Sequence, residues 1–159
     1  MKPRLYLETT VVSYLTARPT RDIVMTARQQ LTQEWWDRRR GDFNICISQL
    51  VLVEAARGDA AAAGRRLAAL RGFAVVEISS AVPVVAESLL KSSLLPPNAA
   101  DDALHIAVAA VQGVHFLLTW NFRHIANATH AAEIRAQVAQ CGYACPIICT
   151  PEELLTPPP

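Results

Sequence analysis

Asn98-Ala-Ala-Asp-Asp-Ala-Leu-His-Ile-Ala-Val-Ala-Ala-Val-Gln-Gly113, with His115-Phe-Leu-Leu-Thr-Trp120 after it, is the stretch on which the fold turns. Asn98 can accept the first free amide of a helix, Asp101 stands three residues on like the return arm of a capping box, and Gly113 supplies a left-handed stop. The apolar body between these ends predicts a helix, and residues 115–120 predict the strand it leads into. Asp101 and Asp102 fall in the first turn, where the helix dipole favours negative charge by about 0.3–1 kcal/mol. That would explain both on a plain surface helix, with Asp101 the capping residue. The Ala-rich body and the polar loop Asn121-Phe-Arg-His-Ile125 beyond the strand raise a second reading, in which one of the two acids serves a site.

Working outward, residues 4–7 predict a first strand ending at Glu8, with Thr9 or Thr10 capping a short helix over 11–15. Residues 17–21 form a basic loop. Ile23, Ala27, Leu31 and Trp35 then recur at four-residue intervals, predicting an amphipathic helix that closes on Arg38-Arg-Arg40 and Gly41. Residues 43–47 predict a second strand, Ser48 caps a helix over 49–57, and Asp59 caps another that runs to Arg71. Residues 73–78 predict a third strand, and Ser80 with Pro83 opens a helix to about Ser92. A helix over 129–140, a short strand over 146–149 and a helix start at Thr150-Pro-Glu-Glu153 complete the series. Strands alternating with helices imply an α/β fold, a three-layer α/β/α sandwich around a mainly parallel sheet of four to five strands. One domain over residues 1–155 is expected, followed by a disordered proline-rich tail at 156–159.

Composition bounds the function. A net charge of +1 gives no global basic field for nucleic acid, so any such contact must come from local clusters. The basic residues include only two lysines, Lys2 and Lys91. Arginine suits bidentate phosphate contacts, although a source-wide composition bias explains the imbalance as well. The start lacks the pattern of a secretory signal, and no apolar run reaches the ~20 residues a membrane crossing needs. A cytoplasmic protein without a membrane partner is expected. Cys46, Cys141, Cys145 and Cys149 then read as reduced, mostly buried thiols rather than a zinc site.

In a parallel sheet, ligands bind beyond the carboxyl ends of the strands, at a switch in strand order. That rule selects Glu8 after the first strand and Asn121 after the fourth. It adds Glu54 and Asp101 or Asp102 from helices that begin at the same edge. Oxygen donors converging from distant positions are what a hard cation such as Mg2+ or Mn2+ requires, and a cation relieves the repulsion among clustered carboxylates. Glu54 has apolar neighbours that make burial without a partner costly. Glu8 has no structural role at the end of an apolar strand, whereas Asn121 on its own could simply shape a turn. Thr9 and Thr119 are placed to orient ligating side chains. His105, one helical turn beyond the acids, reads as a satisfied buried histidine. Arg18, Arg21, Arg123 and His124 are the candidates for contact with an RNA backbone.

Four segments in order carry a resemblance. Tyr6-Leu-Glu-Thr-Thr-Val-Val-Ser-Tyr-Leu15 resembles the opening motif of the PIN domain family. Ser48-Gln-Leu-Val-Leu-Val-Glu54 is similar to its second motif and Ala100-Asp-Asp-Ala-Leu-His-Ile-Ala107 to its third. Leu117-Leu-Thr-Trp-Asn-Phe-Arg-His-Ile125 is similar to its fourth. The likeness runs from about residue 4 to 155. It implies an Mg2+- or Mn2+-dependent ribonuclease with Glu8, Glu54, Asp102 and Asn121 as catalytic positions, the first three binding metal. For a short single-domain chain it further implies the toxin half of a VapC-type toxin-antitoxin pair, a homodimer inhibited by a cognate antitoxin. Glu8 stands where aspartate is commoner, and Asn121 puts a neutral amide where a carboxylate is common. An RNA- or protein-binding module of the same fold with weakened catalysis is the alternative.

Overall fold

A computed structural model describes residues 1–156, and the tail expected at 156–159 falls, beyond Thr156, outside the described residues. Five strands, β1 (Arg4–Leu7), β2 (Asn44–Ser48), β3 (Ala74–Val76), β4 (Phe116–Leu118) and β5 (Ile147–Cys149), form one sheet in the order β3-β2-β1-β4-β5, every pair parallel. The helices are α1 (Thr9–Thr16), α2 (Ile23–Arg38), α3 (Gln49–Ala55), α4 (Ala60–Leu70), α5 (Ala81–Lys91), α6 (Ala100–Val111) and α7 (Ala131–Gln140). Helices α1 to α4 pack among themselves, as do α5 to α7. Together they give the expected three-layer α/β/α sandwich.

β1 is the axis of this arrangement. Its Leu5, Tyr6 and Leu7 are completely buried, as a central parallel strand covered on both faces requires, and the apolar run is continuous rather than alternating. The chain steps outward from β1 through β2 to β3, then crosses back by way of α5 and α6 to place β4 on the other flank of β1. The switch in order therefore lies between β1 and β4. Leu7 pairs with Leu118, and the Glu8 amide extends that ladder by donating to the Leu118 carbonyl at 3.0 Å. Residues 8 and 119 thus leave the sheet side by side.

Several expected helix caps do not form, for physical reasons. The Pro96-Pro97 step sets up a 3-10 turn at Pro97–Ala99, closed by the Ala99 amide on the Pro96 carbonyl at 2.9 Å, so α6 begins one residue later with Ala99 as its uncapped start. The Asn98–Asp101 capping box is absent, and Asp101 instead pairs with Arg57 at 3.6 Å. Ser48, Thr9 and Thr10 make no cap hydrogen bond either, because their hydroxyls are taken by groups at the sheet edge. Asp59 and Asp22 do cap their helices, accepting from the Ala62 and Met25 amides at 2.9 Å each. The stripe expected on α2 is also displaced. Ile23 is 85 % exposed, and the buried residues are Thr32 and Trp35, since a strict four-residue repeat drifts around a 3.6-residue helix. At the chain's end, Thr150-Pro-Glu-Glu153 closes only a turn in which the Glu153 carboxylate accepts from the Thr150 amide at 2.7 Å.

Leu117→Ala at the heart of the sheet, where the side chain is fully buried, is expected to lower unfolding stability by about 2–5 kcal/mol. Ile23→Ser, on the exposed end of α2, should change it by less than about 0.5 kcal/mol. Urea denaturation of the two variants checks both values.

Candidate functional site

The carboxyl edge of the sheet gathers polar side chains from four elements. Glu8, which leaves β1, is 97 % withdrawn from solvent at 3 % exposure, and its Oε2 accepts from the hydroxyls of Thr10 and of Thr119, the latter at 2.7 Å. Thr10 also accepts from the Trp120 amide at 2.9 Å, and Thr119 from the Asn121 amide at 2.9 Å. The loop after β4 is thereby tied to the start of α1. Glu54, near the end of α3, uses Oε1 to accept from Thr9 Oγ1 at 2.6 Å and from His105 Nε2 at 2.6 Å. These side-chain donors converge on one oxygen of each glutamate, Oε2 of Glu8 and Oε1 of Glu54, and leave the other oxygen of each without a hydroxyl or imidazole partner.

Behind His105 runs a buried chain of hydrogen bonds. Tyr6 Oη lies 2.8 Å from His105 Nδ1 and 2.8 Å from Ser48 Oγ, and all three residues are fully buried. This fixes the ring with Nε2 facing Glu54. The expectation of a satisfied histidine in α6 holds, and the ring is also part of the acid pocket. One nitrogen of His105 and one oxygen each of Glu8 and Glu54 lie within 4.8 Å of one another. Both nitrogens of His105 are taken by hydrogen bonds, to Glu54 and to Tyr6, so within this group the two glutamates are the residues that could offer oxygens to a small divalent ion. Among the described residues the cysteines form no such group. Burial raises the thiol pKa of Cys149, with help from the Glu153 charge, to about 12, as expected of a reduced, inert sulfur.

The tight group has His105 where the sequence reading expected Asp102. Asp102 sits beside it on α6 with both oxygens engaged: Oδ1 accepts from Asn121 Nδ2 at 3.0 Å, and Oδ2 lies 2.7 Å from His124 Nδ1. The His124 amide donates to Asn121 Oδ1 at 3.0 Å, so Asn121 both shapes its turn and reaches an acid. Thr9 and Thr119 touch Glu54 and Glu8 respectively. Arg123, Arg18 and Arg21 are exposed, the last two on the loop between α1 and α2. Thr10, Tyr6 and Ser48 escaped the sequence reading as site residues. Their signal was a pair of threonines directly after Glu8, and a tyrosine and a serine on adjacent strands, each of which local propensity also explains.

The electrostatics follow from burial and contact. Burial pushes the Glu8 carboxyl up, against the opposing pull of the His105 charge and the hydroxyls of Thr10 and Thr119. For Glu54, burial alone would raise the pKa, but the hydrogen bond and charge of His105, with Thr9 and Arg57, bring it below the usual value. For His105, burial alone would lower it, but the Glu54 hydrogen bond and the charges of Glu8, Glu54 and Asp102 raise it. Glu54 and His105 thus form a partly buried ion pair, and Glu8 is the acid most in need of a further cation. An apolar recess lined by Pro3, Phe43, Phe116 and Leu154 lies at the opposite edge of the strands and holds none of this chemistry.

The raised pKa values of His105 and Glu8 act alike on stability. Each group binds a proton in the folded protein where the unfolded chain has released it. The stabilisation from His105 is complete below its ordinary 6.5 and is lost as pH rises through its raised value. Glu54 acts in the opposite sense only in acid, its contribution being present above 4.5 and lost as pH falls through its lowered value. In EDTA, the urea midpoint should therefore fall from pH 6.5 to 9, and Glu54→Gln should flatten that fall by removing the carboxylate charge that helps hold the proton on His105. A midpoint that climbs over this range contradicts the assignment. No family model, curated protein or solved structure matches this chain, so its side chains alone carry the functional reading.

Proposed function

We propose that the chain is a divalent-metal-dependent endoribonuclease that hydrolyses RNA phosphodiester bonds, the toxin component of a type II toxin-antitoxin pair. The observation that carries this reading is the convergence of Glu8, Glu54 and His105, from positions 97 residues apart in sequence, on one pocket at the strand-order switch. Glu8 and Glu54 hold Mg2+ or Mn2+ through the oxygens that no hydroxyl occupies. Thr10 and Thr119 aim the first carboxylate, and Thr9 and His105 aim the second. A cation held there supplies Lewis-acid polarisation of a phosphoryl oxygen and eases the ionisation of water. Asp102 orients Asn121 and His124 at the rim, where an RNA phosphate meets the protein. A homodimer and a cognate antitoxin belong to the same proposal, and Ile23, Val24 and Met25, all exposed on α2, are apolar surface available to either.

One observation favours the alternative, a binding module with weakened catalysis. Asn121 is neutral, and both oxygens of Asp102 are already occupied, so the pocket offers two free carboxylate oxygens rather than four. Calorimetry separates the two readings, since the module binds RNA without heat from Mn2+.

For the nuclease, cleavage of single-stranded RNA should require Mg2+ or Mn2+, stop in EDTA, and fall at least 100-fold in Glu54→Gln. Thr119→Ala should weaken Mn2+ binding by about 10- to 100-fold in the same calorimeter, the usual effect of removing a partner that orients a ligand. Undiminished cleavage by metal-free protein contradicts the proposal.

A further inference from the structure

Beside the acid pocket, Arg28 of α2 lies among three aromatic rings. Its guanidinium carbon is 5.1 Å from the ring centre of Phe122, 5.7 Å from Trp120 and 5.9 Å from Tyr14. Nη1 donates to the Tyr14 hydroxyl at 3.2 Å. Trp120 meets Tyr14 and Phe122 edge-on, with ring centres 6.1 Å apart in each case. The assembly is pinned from below, where Trp120 Nε1 donates to Thr32 Oγ1 at 2.8 Å and Thr32 donates in turn to the Arg28 carbonyl at 2.6 Å. Phe122 is held from the side, its amide bonded to the Trp120 carbonyl at 3.0 Å in a tight turn. Trp120 is buried, but Phe122 remains 45 % exposed.

A core needs no such outer layer. Phe122 stays 45 % exposed, its backbone is fixed in advance, and a cation lies against its ring. Rigid aromatic faces backed by arginine are what take up unpaired nucleobases, because every base has a π-face and stacking tolerates sequence. A duplex hides those faces, so the same surface discriminates against paired RNA. The location suits this use. Phe122 directly follows Asn121, whose side-chain amide donates to Asp102, so the stacking ring is carried by the residue next to one at the rim of the acid site. On the other side, the loop that carries Arg18 and Arg21 is folded along α2, with Gln29 donating to the Arg18 carbonyl at 3.2 Å and Thr26 to the Thr20 carbonyl at 3.0 Å. Those exposed arginines can follow the phosphates of the same strand.

We propose that Phe122, backed by Arg28 and Trp120, is a stacking platform for an unpaired base of single-stranded RNA next to the bond to be cleaved. The inference rests on the nuclease reading of the acid pocket, and it adds the residues that seat the strand beside it.

The test uses the full chain carrying Glu54→Gln, so that bound RNA stays intact, and a fluorescently labelled mixed-sequence decaribonucleotide, alone or annealed to its complement. Adding Phe122→Ala should weaken binding of the single strand by between about 5- and 150-fold, the range that loss of one stacked base gives. Phe122→Trp should restore it, and the melting temperature should stay within two degrees of the parent's. The duplex should bind weakly and without dependence on residue 122. Equal binding by the Phe122→Ala protein overturns the platform, as does tight duplex binding. Loss of a homodimer in sedimentation upon Phe122→Ala, with RNA binding retained, also overturns it and assigns the ring to a second copy. Wild-type protein that fails to cleave the strand in Mn2+, while binding still depends on Phe122, overturns the nuclease reading and leaves the platform standing.

Discussion

A carboxylate at the end of a fully buried strand is the constraint from which the rest of this structure follows. Glu8 cannot swing out to water, because the apolar residues before it are sealed on both faces of the sheet and its own amide is locked to β4. Leaving it bare would cost several kcal/mol. The fold answers with two hydroxyls and a nearby imidazole whose charge opposes that of the acid. Each answer recruits another element: Thr10 brings the start of α1, Thr119 the end of β4, and His105 the middle of α6 together with the Tyr6–Ser48 chain behind it. The site is less an addition to the fold than the means by which the sheet edge tolerates its own acid.

The same constraint explains where local rules of sequence reading succeed and where they give way. The alternation of strands and helices, the continuous apolar run of β1 and the cap at Asp59 depend on neighbours in sequence, and they were legible. The caps expected of Ser48, Thr9 and Thr10 depended on the same reasoning and failed, because a desolvated carboxylate or phenol competes for a hydroxyl more strongly than a half-exposed helix amide does. Local propensity fails where long-range polar demand is greatest, so the failures themselves mark the pocket.

The acids were legible one at a time, but their grouping was not. Glu54 and Asp102 look alike in sequence, each an acid inside an apolar helical stretch. What separates them is that His105 faces Glu54 across the pocket, whereas Asn121 and His124 close over Asp102. Neither contact is implied by spacing, since each joins residues that only the completed sheet brings together. Trp120 and Phe122 were hidden for a related reason. Trp120 ends the segment expected as strand and Phe122 falls in the polar loop after it, and only the turn after Thr119 shows that one goes inward and the other outward.

The parallel register has a temporal side as well. Of the two hydroxyls that steady Glu8, that of Thr10 is two residues away and that of Thr119 is 111 positions further along the chain. At the usual pace of translation, about 5–20 residues per second, the pocket stays incomplete for on the order of ten seconds after its first acid leaves the ribosome. Until β4 has been made, Glu8 has only the hydroxyl of Thr10, two residues away, to set against its burial.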